Sequence, residues 1–159
     1  MRAQWNTVKL REHCRRTGEI LYMVDAEDAA EKERRPLTSK EQLIVAQMDV
    51  ADTARLKTQV EMAIGMETMV TLNIVTDASL ANGSRGIIKD IVLDLREEWQ
   101  EAEEGVVWLK FPPAANIFEP YQKPSIERLP GLPEHQVPLF PFEDSFKIGG
   151  RKKGTKIIR

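Results

Sequence analysis

An α+β fold, with short helices leading into a small twisted β-barrel or sheet, is predicted by three features of the chain. The N-terminal stretch lacks proline and glycine and spaces its apolar residues as a helix does. From Gln59 onward the pattern changes to short β-branched or apolar segments separated by turn residues. Beyond Phe111 proline is too dense for regular helix. A length of 159 residues suits one domain with room for a second small lobe, and 42% hydrophobic with 30% charged residues excludes a disordered or fibrous chain.

Taken in order, Arg2 to Thr17 reads as a short helix stopped by Gly18, its polar face cationic. Glu19 to Val24 reads as a strand and the polar stretch Asp25 to Arg35 as loop, punctuated by Pro36. Thr38-Ser39-Lys40-Glu41 forms a capping box, in which a hydroxyl and the Glu41 carboxylate satisfy orphan amides, and opens a helix over Lys40 to Met48. Asp49 to Lys57 carries no clear signal.

Val60 to Ile64, Met69 to Val75, Gly86 to Leu93 and Val106 to Phe111 read as four strands. The turn Ala81 to Gly86 should reverse the chain, because Asn and Gly tolerate left-handed backbone. The proline-rich segment after Phe111 reads as an extended arm wrapped over the barrel, pinned by Phe118, Tyr121, Leu139, Phe140 and Phe142. Phe146 to Ile148 and Thr155 to Ile158 read as two more strands split by Gly149-Gly150, the second running straight into the chain end.

A net charge of −2, from 23 basic and 25 acidic residues, marks no global affinity for nucleic acid, so any such role is local. Charge is unevenly placed. Met1 to Gly18 carries five basic residues against Glu12, Asp94 to Glu104 six acidic residues against Arg96, and Lys147 to Arg159 six basic residues with no acid. Such blocks are ordinarily solvated faces or tails, although two basic ends are able to meet phosphate. No apolar run approaches the roughly 18 residues of a spanning helix, and the N-terminus lacks the layout of a signal peptide, so a soluble chain is expected. One cysteine and two histidines exclude both an internal disulfide and a closed four-ligand His/Cys zinc site.

Catalytic patterns fail one by one. The string from Gly149 to Lys156 superficially suggests a phosphate loop, but Thr and Lys come in the wrong order and no helix has room to follow. His13 and Cys14 are helix neighbours pointing about 100° apart, which favours a partly buried cysteine over an activated thiolate. Glu97, Glu98, Glu101, Glu103 and Glu104 lack the layout of a calcium loop and read as a solvated hairpin. Trp5, Trp99 and Trp108 are able to stack on bases, but Trp108 in a strand reads as core and Trp99 sits in an acidic loop.

Val60 to Glu97 contains a strand leading to Gly65 and Met69-Val70, then Asn73, then Asn82-Gly83 to Gly86 before a second apolar strand. This order resembles the 2B region of PIF-family DNA helicases of superfamily one, especially the Helitron type. Trp5 to Tyr22 resembles the segment after the fourth helicase motif of that family, and Val137 to Ile148 the segment before its late motifs. The resemblance implies a truncated or internal helicase piece. Its lead-in, residues 1–58, is a motor-lobe remnant, residues 59–148 are a small Src-homology-three-like β-barrel with its proline-rich arm, and residues 149–159 are a basic tail returning to the missing motor lobe.

It further implies an accessory module that binds single-stranded DNA weakly by itself. ATP and magnesium belong to the full helicase; the Walker A and Walker B elements would lie upstream of Met1 and the late motifs downstream of Arg159, so no cofactor and no ATP hydrolysis are expected of this chain. Arg85 is then the leading phosphate-contact candidate, Lys89 and Lys110 weaker ones, and Arg151, Lys152 and Lys153 a further cluster. Asn82, Gly83 and Gly86 have a structural role in the turn. The implied address is intracellular and nuclear. Two other readings stand beside this one: a protein-interaction barrel docking through Phe111 to Phe142, and a decayed transposon-derived fragment without activity.

Overall fold

The structure, a computed structural model, describes residues 2–71, 80–98, 104–122, 128–149 and 155–159. Helix α1 spans Arg2–Thr17. It ends where Gly18 turns left-handed at φ 76° and its N–H donates back to the Cys14 carbonyl at 2.8 Å. Strand β1 is Leu21–Asp25, followed by the short strands β2, Ala29–Ala30, and β3, Arg35–Pro36. The expected loop from Asp25 to Arg35 therefore contains a strand.

Helix α2, Ser39–Ala46, opens on the expected capping box. Glu41 N–H donates to the Thr38 hydroxyl at 3.4 Å, and Thr38 N–H donates to the Glu41 carboxylate at 2.8 Å. The Arg35 guanidinium grips that carboxylate with bonds of 2.8 and 2.9 Å. Arg35 and the Thr38 donors together hold the Glu41 carboxyl far below the usual range. Thr38→Ala is expected to cost about 1 kcal/mol, the usual worth of an N-cap, read as a lowered urea midpoint with an unchanged slope.

Strands β4, Gln59–Met62; β6, Arg85–Val92; and β7, Val106–Leu109, fall in three of the four predicted strand regions, and β5 is Glu67–Met69. Strand β5 lies ahead of the predicted Met69 to Val75 and shares only Met69 with it; Val70 and Thr71 are outside any strand, and residues 72–75 lie outside the described ones. Strands β8, Ala115–Pro120; β9, Val137–Leu139; β10, Ser145–Ile148; and β11, Thr155–Ile158, complete the series. Three sheets result, ordered β4-β1-β7, β10-β11-β2-β3 and β5-β6-β8-β9, and the pairings of the two four-stranded sheets are antiparallel. The fold is thus a small α+β structure with two helices, and its sheets do not form a closed barrel among the described residues.

The proline-rich segment differs from its expected form. Its first part is no arm laid over a sheet but strand β8, placed between β6 and β9. Prolines bracket this strand rather than interrupt it, at Pro112 and Pro113 before it and Pro120 at its last position. Pro138 lies in β9, an edge strand where a missing N–H costs no ladder bond. Of the expected pins, Phe118 is fully buried, but Tyr121, Phe140 and Phe142 are exposed.

The described chain divides into two discontinuous units. One comprises Met1–Met23 with Glu61–Pro141, the other Val24–Val60 with Phe142–Arg159. In the first, Cys14, Leu21, Met23 and Ala63 pack with Leu10 and Val106. In the second, Leu37 and Val45 from the α2 region pack on Ala30, Phe146, Ile148 and Ile157. Ile157 is fully buried because β11 is an interior strand flanked by β10 and β2. Trp5 and Val8 are exposed.

Candidate nucleic-acid interface

Alternation along β6 decides which side chains leave the core. Gly86, Ile88 and Ile91 turn inward, whereas Arg85 and Lys89 are exposed, and a register irregularity between Ile88 and Asp90 restores the inward side at Ile91. Neighbouring strands add to the outer face in register. Met69 and Glu67 of β5 pair with Arg85 and Ile87, Glu119 of β8 pairs with Ile87, and the Tyr121 N–H donates to the Arg85 carbonyl at 2.9 Å. Desolvation, and after it the Glu67 carboxylate on the same face, raises the Tyr121 phenol above the usual pKa. The ring is nevertheless 56% exposed.

The face therefore combines a cation, a half-exposed aromatic ring and the exposed Met69. No carboxylate pairs with the Arg85 side chain among the described residues. Lys89 lies 3.8 Å from Glu119, which itself receives a bond from Gln136 at 3.2 Å. Glu67 and Glu119 balance Arg85 and Lys89, so this surface has no strong net charge of its own.

Lys110 is not brought to this face. It follows β7, which belongs to another sheet, and its ammonium is paired with Glu98 at 2.9 Å. The acidic segment around it is organised: Asp94 holds Arg96 through bonds of 2.8 and 2.9 Å, and Arg96 lies 4.0 Å over the Phe111 ring. The Arg96 contacts lower the Asp94 carboxyl to about 2. Glu97 accepts the N–H groups of Lys110 and Phe111 at 3.0 and 3.1 Å. Arg151, Lys152 and Lys153, with Glu101, Glu103 and Trp99, lie outside the described residues.

The turn preceding β6 separates the two glycines assigned to it. Gly83 adopts φ 96° with open space where a Cβ would stand, and its N–H donates to the Val70 carbonyl at 2.8 Å, so its role is conformational. Asn82 beside it is exposed, and the Ala81 N–H donates to the Ser84 hydroxyl at 3.1 Å. Gly86 is not among the left-handed glycines; it lies inside β6, where a Cβ would stand 2.2 Å from the Glu119 carbonyl oxygen and 2.7 Å from the Phe118 ring. Close approach of β8, not turn geometry, requires glycine there.

His13 and Cys14 behave as separate residues. His13 Nε2 lies 2.9 Å from the Ile64 carbonyl oxygen, while Cys14 is buried and burial raises its thiol pKa. Among the described residues no three His, Cys, Asp or Glu side chains converge to hold a metal, and no helix is long and apolar enough to cross a membrane. Comparison with protein-family models, with curated proteins and with solved structures finds no match to this chain.

Met69, Tyr121 and the two glutamates of the face escape sequence reasoning. The alternation of Glu67 and Met69 was the available signal for β5, but nothing local to Tyr121 announces that β8 pairs with β6.

Proposed function

We propose that this chain is an accessory module of a PIF/Helitron-like ATP-dependent DNA helicase that touches single-stranded DNA through the outer face of β5, β6 and β8. The observation that carries this reading is Arg85 set beside Tyr121 and Met69 on one exposed sheet surface, a cation for phosphate next to an aromatic plane for a base. The order of residues from Val60 to Glu97 supplies the helicase context. A small Src-homology-three-like barrel belongs to the same proposal, supported by the antiparallel β5-β6-β8-β9 sheet and its irregularity near Lys89, the device by which sheets curl. ATP and magnesium would be handled by motor lobes outside this chain. The even balance of charge on the face agrees with weak binding.

Anisotropy of a labelled oligothymidylate, titrated with the chain at several salt concentrations, tests this. Affinity should fall with salt, Arg85→Ala should lower the slope of log K against log salt by about 0.7, and Tyr121→Ala should weaken binding by roughly 1–3 kcal/mol. Salt-independent binding, or binding untouched by either change, would remove the proposal. A protein-interaction role is the second reading, favoured by Phe140, which stands 71% exposed at the end of the proline-rich segment.

A further inference from the structure

A second cationic surface lies on α1. The inner side of the helix is committed: Leu10 and Cys14 pack in the core, Arg11 bonds Glu61 at 3.0 Å and His13 meets the Ile64 carbonyl. At about 100° per residue, Trp5, Val8, Lys9, Glu12, Arg15 and Arg16 fall on the opposite side, and all six are exposed. Lys9 neutralises Glu12 at 2.7 Å and lies 5.1 Å from the Trp5 ring centre. Arg15 and Arg16 have no carboxylate within ion-pair distance among the described residues. The surface is net positive around an aromatic ring that is 63% exposed.

Charge complementarity calls for an anionic partner, and the arrangement of the residues chooses which. A helix lying in a bilayer segregates apolar and basic residues onto opposite faces. Here Trp5 and Val8 are interleaved with the cations on one face, so immersing them would desolvate Lys9 and Arg16 as well. Single-stranded nucleic acid needs the mixed surface, with cations for successive phosphates and an aromatic ring for a base between them. We infer that the outer face of α1 is a second contact for single-stranded nucleic acid, with Trp5 stacking on a base and Arg15 and Arg16 holding the backbone. This rests on the DNA-binding reading of the chain but uses residues distinct from Arg85 and Tyr121.

The test uses the full chain carrying Trp99→Phe and Trp108→Phe, which leaves Trp5 as the fluorophore. Oligothymidylate should quench it. In the otherwise unaltered chain, Trp5→Leu should weaken oligothymidylate binding about tenfold. Arg15→Gln with Arg16→Gln should reduce the salt slope by about 1.4, and Arg15→Lys with Arg16→Lys should restore it. Their exposure leaves the fold intact, which far-ultraviolet circular dichroism checks. Binding lost with Arg85→Ala and Tyr121→Ala but indifferent to the α1 changes would overturn this inference and leave the sheet reading standing. The reverse pattern would support α1 and overturn the sheet reading. Absence of oligothymidylate binding would overturn both, and quenching by phosphatidylserine vesicles alone would assign the face to membranes and overturn this inference.

Discussion

Gly86→Ala is expected to be strongly destabilising although it adds a single methyl group. The added Cβ would stand 2.2 Å from the Glu119 carbonyl oxygen, a backbone atom paired into β8, and 2.7 Å from the fully buried Phe118 ring. Neither can step aside alone, because Phe118 is held between β6 and β9 by pairing with Ile88 and Val137. Relief requires β6 and β8 to separate, a cost of about 3 kcal/mol, at the upper end of overpacking penalties. Gly83→Ala is the informative comparison. It meets open space and strains only a φ of 96°, so about 1–2 kcal/mol is expected. Trp5 and Trp108 lie in the unit that contains β6, so with Trp99→Phe in the background tryptophan fluorescence during urea unfolding reads that unit. A larger loss for Gly83→Ala than for Gly86→Ala would contradict the packing role assigned here.

The second large effect is expected at Arg159. Its side chain is only 2% exposed and grips Asp28 through two bonds of 2.7 Å, donates to the Leu56 carbonyl at 3.2 Å and lies 5.3 Å over the Phe146 ring. The Leu56 carbonyl also accepts from buried Thr53 at 2.9 Å, so the arginine ties the irregular segment after α2 to β2, β10 and β11. Arg159→Met would strand the Asp28 carboxylate. A loss of about 3 kcal/mol is expected, the low end for a broken buried pair because Asp28 keeps 18% of its exposure. Combining Arg159→Met with Asp28→Leu should recover much of this, since a hydrophobic pair of similar volume leaves no unpaired charge. Amide exchange at Ile157, fully buried in β11, reports the change within this unit. Unchanged protection in the single variant would show that the pair contributes nothing.

What local chemistry encodes was legible in the sequence. The end of α1 at Gly18, the capping box at Thr38 and Glu41, and the strands on either side of Gly149-Gly150 all depend on residues within a few positions of one another. Features that depend on distant partners were not. Proline density suggested an arm where β8 lies, because its ladder bonds come from β6, about thirty positions earlier in pairs such as Ile88 with Phe118. Arg159 read as part of a basic tail, since its partner Asp28 is 131 positions away. At the candidate site, Arg85 was named only through the helicase resemblance, and Tyr121 and Met69 join it only through strand register.

Whether the β5-β6-β8 face meets single-stranded DNA is tested most directly by amide chemical shifts of the isotope-labelled chain during titration with oligothymidylate at low salt. Salt-reversible shifts centred on Met69, Arg85, Ile87 and Tyr121 are expected. Shifts that spare these four residues throughout, or a spectrum unmoved at saturating oligonucleotide, would contradict it.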